Sequence, residues 1–130
     1  MVKIIDGTNA TLGRLASYVA KEALKGEEFV FLNCNKVVIT GNRKSIEKDF
    51  LERRGRVGSG QNGPKVSRLA DRIVKRSIRG MLPHRESRGK DALGRIKCYT
   101  KVPKEFEDSK KIIAGKEKTT KFITIKDISL

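Results

Sequence analysis

Arg68, Arg72, Arg76 and Arg79 recur every three or four residues, with Lys75 among them. That is the interval at which side chains stack on one face of an α-helix. At about 100° per residue these five cations fall within an arc of about 100°. Leu69, Ala70, Ile73, Val74, Ile78 and Met81 occupy the opposite arc. The chemistry open to the first face is ionic. Each guanidinium offers five N–H donors in a fixed fork that matches phosphate bidentately. The row lies in a strongly basic stretch. Residues 41–101 hold 18 Lys/Arg against 6 Asp/Glu, whereas residues 1–40 hold 5 against 4 and residues 102–130 hold 7 against 5. Nearly all of the net charge of +15 therefore sits in the middle of the chain. A field that strong and that local asks for a polyanion, because each phosphate neutralised releases a condensed counterion. A face kept only for solubility interleaves both signs.

Nucleic acid is the polyanion this pattern fits best. The candidate RNA-binding residues are Arg43 and Lys44, then Arg53, Arg54, Arg56 and Lys65, then the helix face Arg68, Arg72, Lys75, Arg76 and Arg79. His84, Arg85, Arg88, Lys90 and Arg95 complete the set. Trp is absent and aromatic residues make up 5%. A surface that stacks many bases on rings is thereby disfavoured, and contact with phosphates and folded RNA shape is favoured.

Other chemistries find little support. Asp6-Gly7-Thr8-Asn9 stands where a strand meets a helix, but lacks both the G-x-G-x-x-G fingerprint and the P-loop spacing. Asp6 reads as a turn-fixing carboxylate. Thr40-Gly41-Asn42-Arg43-Lys44-Ser45 has the wrong glycine spacing for a phosphate loop and reads as a strand end followed by a basic helix. His84 is the only histidine, and Cys34 and Cys98 are far apart in sequence. No zinc spacing and no disulfide framework result, and a reducing compartment fits. The carboxylates are scattered among lysines and arginines as ion-pair partners. No nucleophile, general base, metal-ligand set, cofactor or small-molecule substrate is indicated. The start of the chain does not look like a signal peptide, and no apolar run approaches the ~20 residues that span a bilayer. The basic amphipathic helix could lie on an anionic membrane. Its apolar face has no Trp or Phe, however, and a globular core needs that face.

The elements that must position these groups can be read from the same chain. Residues 2–6 and 28–34 are strand candidates, rich in β-branched and aromatic residues. Between them Leu12, Leu15, Ala16, Val19, Ala23 and Leu24 make one apolar helical stripe. Gly26 follows where a left-handed C-terminal cap is expected. Strand, helix and strand make a βαβ unit, hence a parallel sheet with a right-handed crossover. Val37-Val38-Ile39 extends the second strand or forms a short neighbour. A polar helix is expected over 42–54, anchored only by Ile46, Phe50 and Leu51. A glycine-rich loop from Gly55 to Pro64 follows, then the basic amphipathic helix over 66–81. Residues 84–94 read as a basic loop, 96–102 as a strand, 104–118 as a charged tail and 122–125 as a last extended segment. With 130 residues and 37% hydrophobic content, one domain with a modest core is expected.

Several blocks carry a family resemblance. Ile5-Asp6-Gly7 with Leu12-Gly13-Arg14-Leu15-Ala16-Ser17 resembles the opening of the universal large-subunit ribosomal protein thirteen family. Asn33-Cys34-Asn35-Lys36-Val37 with Thr40-Gly41 is similar to its second-strand motif. Arg79-Gly80-Met81-Leu82-Pro83, followed by Leu93-Gly94-Arg95-Ile96-Lys97-Cys98-Tyr99, resembles its most distinctive block. The matches span about residues 3–103. The chain lacks the histidine-bearing insertion of the bacterial branch, and its short length and His84 resemble the archaeal and eukaryotic branch. Cys34 and Cys98 stand where the family commonly has small or aliphatic residues, which implies packing positions.

The resemblance implies a three-layer α/β/α domain on a four-stranded parallel sheet with basic loop extensions. It implies a structural place on large-subunit ribosomal RNA beside neighbouring ribosomal proteins, in the cytoplasm, with no enzymatic activity. A single domain over 1–130 is expected, with 103–130 as a C-terminal extension. The loops 55–64 and 84–94 are expected to order against RNA. Two alternatives stand beside this one. A small doubly wound enzyme would bind a nucleotide at the carboxyl edge of the sheet. A regulator would bind RNA away from the ribosome.

Overall fold

The computed structural model describes residues 2–56, 60, 67–113, 115 and 120–128. Strand β1 (Val2–Asp6) and strand β2 (Glu28–Leu32) pair in parallel, Val2 opposite Glu28 through Asp6 opposite Leu32. Helix α1 (Leu12–Leu24) connects them. It buries Leu12, Leu15, Ala16, Val19, Ala20 and Ala23, while Leu24, expected in the stripe, is exposed. The helix ends as its sequence directs. Gly26 has φ +101°, and the amides of Gly26 and Glu27 donate to the carbonyls of Ala23 and Glu22. Those bonds satisfy carbonyls that the helix itself cannot.

Strand β3 (Val38–Thr40) leaves the main sheet. Asn33 turns left-handed at φ +57°, and a 3₁₀ turn over Cys34–Lys36 redirects the chain. Helix α2 (Arg43–Gly55) begins with the Asn42 side chain accepting from the Lys44 amide, and buries no residue completely. Helix α3 runs from Ala70 to Arg79, shorter at both ends than expected. Leu69 and Met81 therefore lie outside it and are exposed. Most of the 55–64 loop, and Lys65, lie outside the described residues.

Residues 87–94, expected as loop, form helix α4 (Ser87–Gly94). Gly89 is buried there for a steric reason. A Cβ on it would sit 1.9 Å from the Pro83 carbonyl oxygen. Its missing side chain lets α4 fold back on the preceding turn. Strand β4 is shorter than expected, Ile96–Cys98.

Strand β5 (Ile112–Ile113) comes from the stretch read as charged tail, and pairs in parallel with Ile5 and Asp6. Two apolar residues after Lys110 and Lys111 give no periodicity to read. Strand β6 (Phe122–Thr124) pairs antiparallel with β3, and helix α5 (Ile125–Ile128) follows. The main sheet thus has the order β4-β2-β1-β5, all parallel, and β3 and β6 form a separate ribbon. This is a three-layer α/β fold. Ile5, Phe29, Phe31 and Ile96 face the helices α1, α3 and α4, while Val30 and Leu32 are buried on the other face.

The buried face of α3 should hold the fold. Ile78 is fully enclosed, whereas Met81 is not. Ile78→Ala should cost about 2–5 kcal/mol of unfolding free energy, and Met81→Ala within about 0.5 kcal/mol. Urea unfolding followed by circular dichroism measures both. Equal midpoints would show the helix faces reversed.

Candidate nucleic-acid interface

Helix α3 sorts its residues as its spacing predicts. Ala70, Ile73, Val74 and Ile78 are buried, packing against α1 and β4, while Arg72, Arg76 and Arg79 are exposed and Lys75 is half-buried. Arg68 stands exposed just before the helix. Across from α3 lies α2, whose last turn and cap present Arg53 and Arg56. The two helices enclose a cleft of about 390 Å³, lined by Arg53, Arg56, Arg72 and Arg76 with Phe50 and Ile73. Among the described residues no carboxylate lines it.

The other candidates divide by what they touch. Lys44, Arg85 and Lys90 are exposed, and His84 is half-buried. Arg43 pairs with Glu47 and Arg88 with Glu86, each at 3.0 Å, so their charge is partly answered within the chain. Exposed pairs of this kind contribute little to stability. Arg54 and Arg95 are not brought to the surface with the rest. Arg95 Nη1 donates to the Ala23 carbonyl at 2.9 Å and ties β4 to the end of α1. Arg54 Nη2 donates to the Ile128 carbonyl, and its guanidinium lies 5.9 Å from the Phe50 ring centre. Burial first, and the charge of Arg68 second, lower the Arg54 pKa below the usual guanidinium range. Both arginines brace the fold.

Sequence reasoning missed Arg14 and Lys121. They meet around a hollow of about 540 Å³ with Thr11, Thr40, Asn42 and Thr120. Their separation in the chain left no local signal.

The carboxyl edge of the sheet is where a doubly wound enzyme would hold a nucleotide. Here Asp6 Oδ1 accepts from the Thr8 amide at 3.0 Å, the Thr8 hydroxyl at 2.7 Å and Asn33 Nδ2 at 3.1 Å. Gly115 packs so tightly on the same turn that a Cβ would lie 1.9 Å from the Thr8 carbonyl oxygen. The edge beside β1 and β5 is filled by the chain, and Asp6 fixes the turn.

The cysteines pack as the resemblance implied, Cys34 buried and Cys98 half-buried. A hydrogen bond with Cys98, then burial, push the Cys34 thiol pKa far up. Cys34 is thus held as a neutral thiol, unsuited to nucleophilic work. Among the described residues no cluster of His, Cys, Asp or Glu could hold a metal, and no helix is long and apolar enough to cross a membrane.

The family model for ribosomal protein L13 matches residues 1–105. The chain belongs to the ribosomal protein L13 family. Relatives agree along nearly the whole length. A protein of Methanococcoides burtonii is 40% identical over 131 residues, covering 97% of this chain and 94% of its own. One from Methanocaldococcus jannaschii is 43% identical over 129 residues, covering 97% and 93%. One from Methanosarcina barkeri is 46% identical over 110 residues, covering 84% and 78%. Each is named large ribosomal subunit protein uL13. Within the family match lie the α3 face, α4 and the Asp6 turn. The final strand and helix, β6 and α5, lie beyond it.

The Asp6 turn generates a pH prediction. Burial acts to raise the Asp6 pKa, but the three hydrogen bonds outweigh it and hold the carboxyl below its ordinary 3.8. A depressed folded pKa contributes stability that is present above the unfolded value and lost as pH falls through the folded value. Wild-type stability should therefore fall as pH drops below about 4. Asp6→Asn should be less stable at neutral pH and should lose less over that range. Urea midpoints measured against pH would show it, and identical pH slopes would refute the role.

Proposed function

We infer that this chain is a structural constituent of the large ribosomal subunit, as its relatives are named, and that it is not an enzyme. It works on the ribosome in the cytoplasm, supporting subunit assembly and translation. Its partners there are large-subunit ribosomal RNA and neighbouring large-subunit proteins. The chain acts as one domain over 1–130, and residues 103–130 belong to it through β5, β6 and the buried Ile123, Ile125 and Ile128.

The observation that carries the RNA reading is α3. Ten residues combine a buried apolar face with an exposed row of arginines. A rigid helix locked to the core presents its charge at fixed positions, which suits phosphates of a folded RNA rather than a diffuse counterion cloud. Arg43, Lys44, Arg53, Arg56, Lys65, Arg68, Arg72, Lys75, Arg76, Arg79, His84, Arg85, Arg88 and Lys90 form the proposed RNA surface, and Arg54 and Arg95 support it from within. The filled carboxyl edge at Asp6 and Gly115 speaks against the nucleotide-binding alternative.

Phosphate-dominated binding predicts a steep salt response. With ~6–10 phosphates contacted, affinity for a large-subunit RNA fragment should fall by roughly 10³–10⁵ between about 50 and 200 mM salt. Arg79→Ala should weaken that affinity and leave the melting temperature nearly unchanged. A flat salt titration would contradict the reading. Failure of the chain to co-sediment with large subunits in high salt would favour a regulator acting off the ribosome.

A further inference from the structure

Cys34 and Cys98 are far apart in sequence, yet the fold brings their backbones side by side. Strand β4 pairs in parallel with β2, with Cys98 opposite Phe31. The Tyr99 amide donates to the Phe31 carbonyl at 2.9 Å, and the Cys34 amide donates to the Tyr99 carbonyl at 3.1 Å. Cys34 is thus bonded through its backbone to the residue next to Cys98. Paired residues on neighbouring strands point to the same face of a sheet. Cys98 therefore shares the helix-facing side with Phe31, and it packs against the apolar cluster that encloses Cys34. The two thiols meet there and share a hydrogen bond. Adjacent strands lie about 4.8 Å apart, inside the roughly 4.4–6.8 Å of Cα separation that a disulfide bridges. The pair also sits at a junction, because α3 packs both on β4 and on the 3₁₀ turn that carries Cys34.

We propose that Cys34 and Cys98 form a reversible disulfide when hydrogen peroxide reaches the domain, and that this bond locks together the two segments on which α3 rests. The half-buried Cys98 is the point of entry, since Cys34 is fully enclosed. The Cys98 thiolate attacks one peroxide oxygen and the O–O bond breaks. Cys98 sulfenic acid forms, and the departing hydroxide takes up the thiol proton as water. The Cys34 sulfur then attacks the Cys98 sulfur and the S–O bond breaks. The Cys34 proton leaves with that oxygen as a second water. Over both steps the peroxide is reduced and the two thiols are oxidised to one disulfide. In the resting domain the hydrogen bond to Cys98 is the largest cause that keeps the Cys34 thiol neutral. Oxidation turns that partner into an electrophilic sulfur, so Cys34 stays quiet until its neighbour is modified. Thiol reductants reverse the bond by exchange. A cross-link between residues distant in the chain shrinks the unfolded ensemble, so the oxidised domain is the more stable one.

The test treats the full folded chain with hydrogen peroxide and maps its peptides by mass spectrometry without reductant. One linked peptide pair should hold Cys34 and Cys98, lighter by two hydrogens than the separate peptides. Methionine sulfoxide, which adds oxygen, is counted separately in the map. Dithiothreitol should separate the pair again. The disulfide form should melt several degrees above the reduced form, and amide hydrogen exchange along α3 should slow. Cys34→Ala should leave a Cys98 sulfenic acid that dimedone traps. Cys98→Ala should leave Cys34 unoxidised over the same exposure. Wild-type Cys98 driven to sulfinic acid beside an untouched Cys34 would overturn the disulfide, as would chains joined to one another through Cys98. A disulfide with no rise in melting temperature would overturn the lock. Oxidation of Cys34 in the Cys98→Ala variant would overturn Cys98 as the point of entry.

Discussion

The docking of α3 is the interaction on which the rest of this molecule depends. Ile73, Val74 and Ile78 insert into the cluster formed by α1 and the helix-facing side of the sheet. Their burial removes apolar area from water and fixes the rotation of the helix about its axis. Because Arg72, Arg76 and Arg79 share that backbone, the same burial fixes where their charges point. Packing energy thus supplies the positional precision that electrostatics alone cannot, since Coulomb attraction to a polyanion has no preferred register.

Charge is then distributed by what each cation touches. Some guanidiniums turn inward as braces, Arg95 to the end of α1 and Arg54 to the carbonyl of Ile128. Others are neutralised locally by a neighbouring glutamate, as Arg43 and Arg88 are. Others, such as Arg72 and Arg79 on α3 and Arg56 at the end of α2, stand exposed. A domain with 30 Lys/Arg and 15 Asp/Glu carries self-repulsion that its fold must tolerate. Among the described residues no polar or charged residue is buried in the apolar core, which helps it to do so.

The sheet edge shows how one architecture sheds a common use. Its strand order is one that elsewhere opens a crevice for ligands at the carboxyl ends. Here Asp6 spends its carboxylate on Thr8 and Asn33, and the backbone at Gly115 occupies the adjoining space. The resulting domain carries its exposed row of arginines on a helix, α3, rather than at its strand ends.

The sequence by itself determined the elements whose signal is periodic: β1, α1, β2 and the two-faced α3. Each has a run long enough to repeat, so hydrophobic spacing alone specifies both the element and its buried side. It also determined the location of the charge and, through the Leu-Gly-Arg-Leu-Ala-Ser and Arg-Gly-Met-Leu-Pro blocks, the family. Tertiary structure alone decided the rest. It made a helix of 87–94, with Gly89 allowing close approach to Pro83. It recruited Ile112–Ile113 as the fourth strand, since two residues gain strand geometry only from a neighbour's ladder. It sent β3 to pair with β6, after a left-handed Asn33 turned the chain out of the sheet. It also decided which arginines brace and which face outward. Lone-pair acceptors such as the Ala23 and Ile128 carbonyls come from distant segments, and no local pattern announces them.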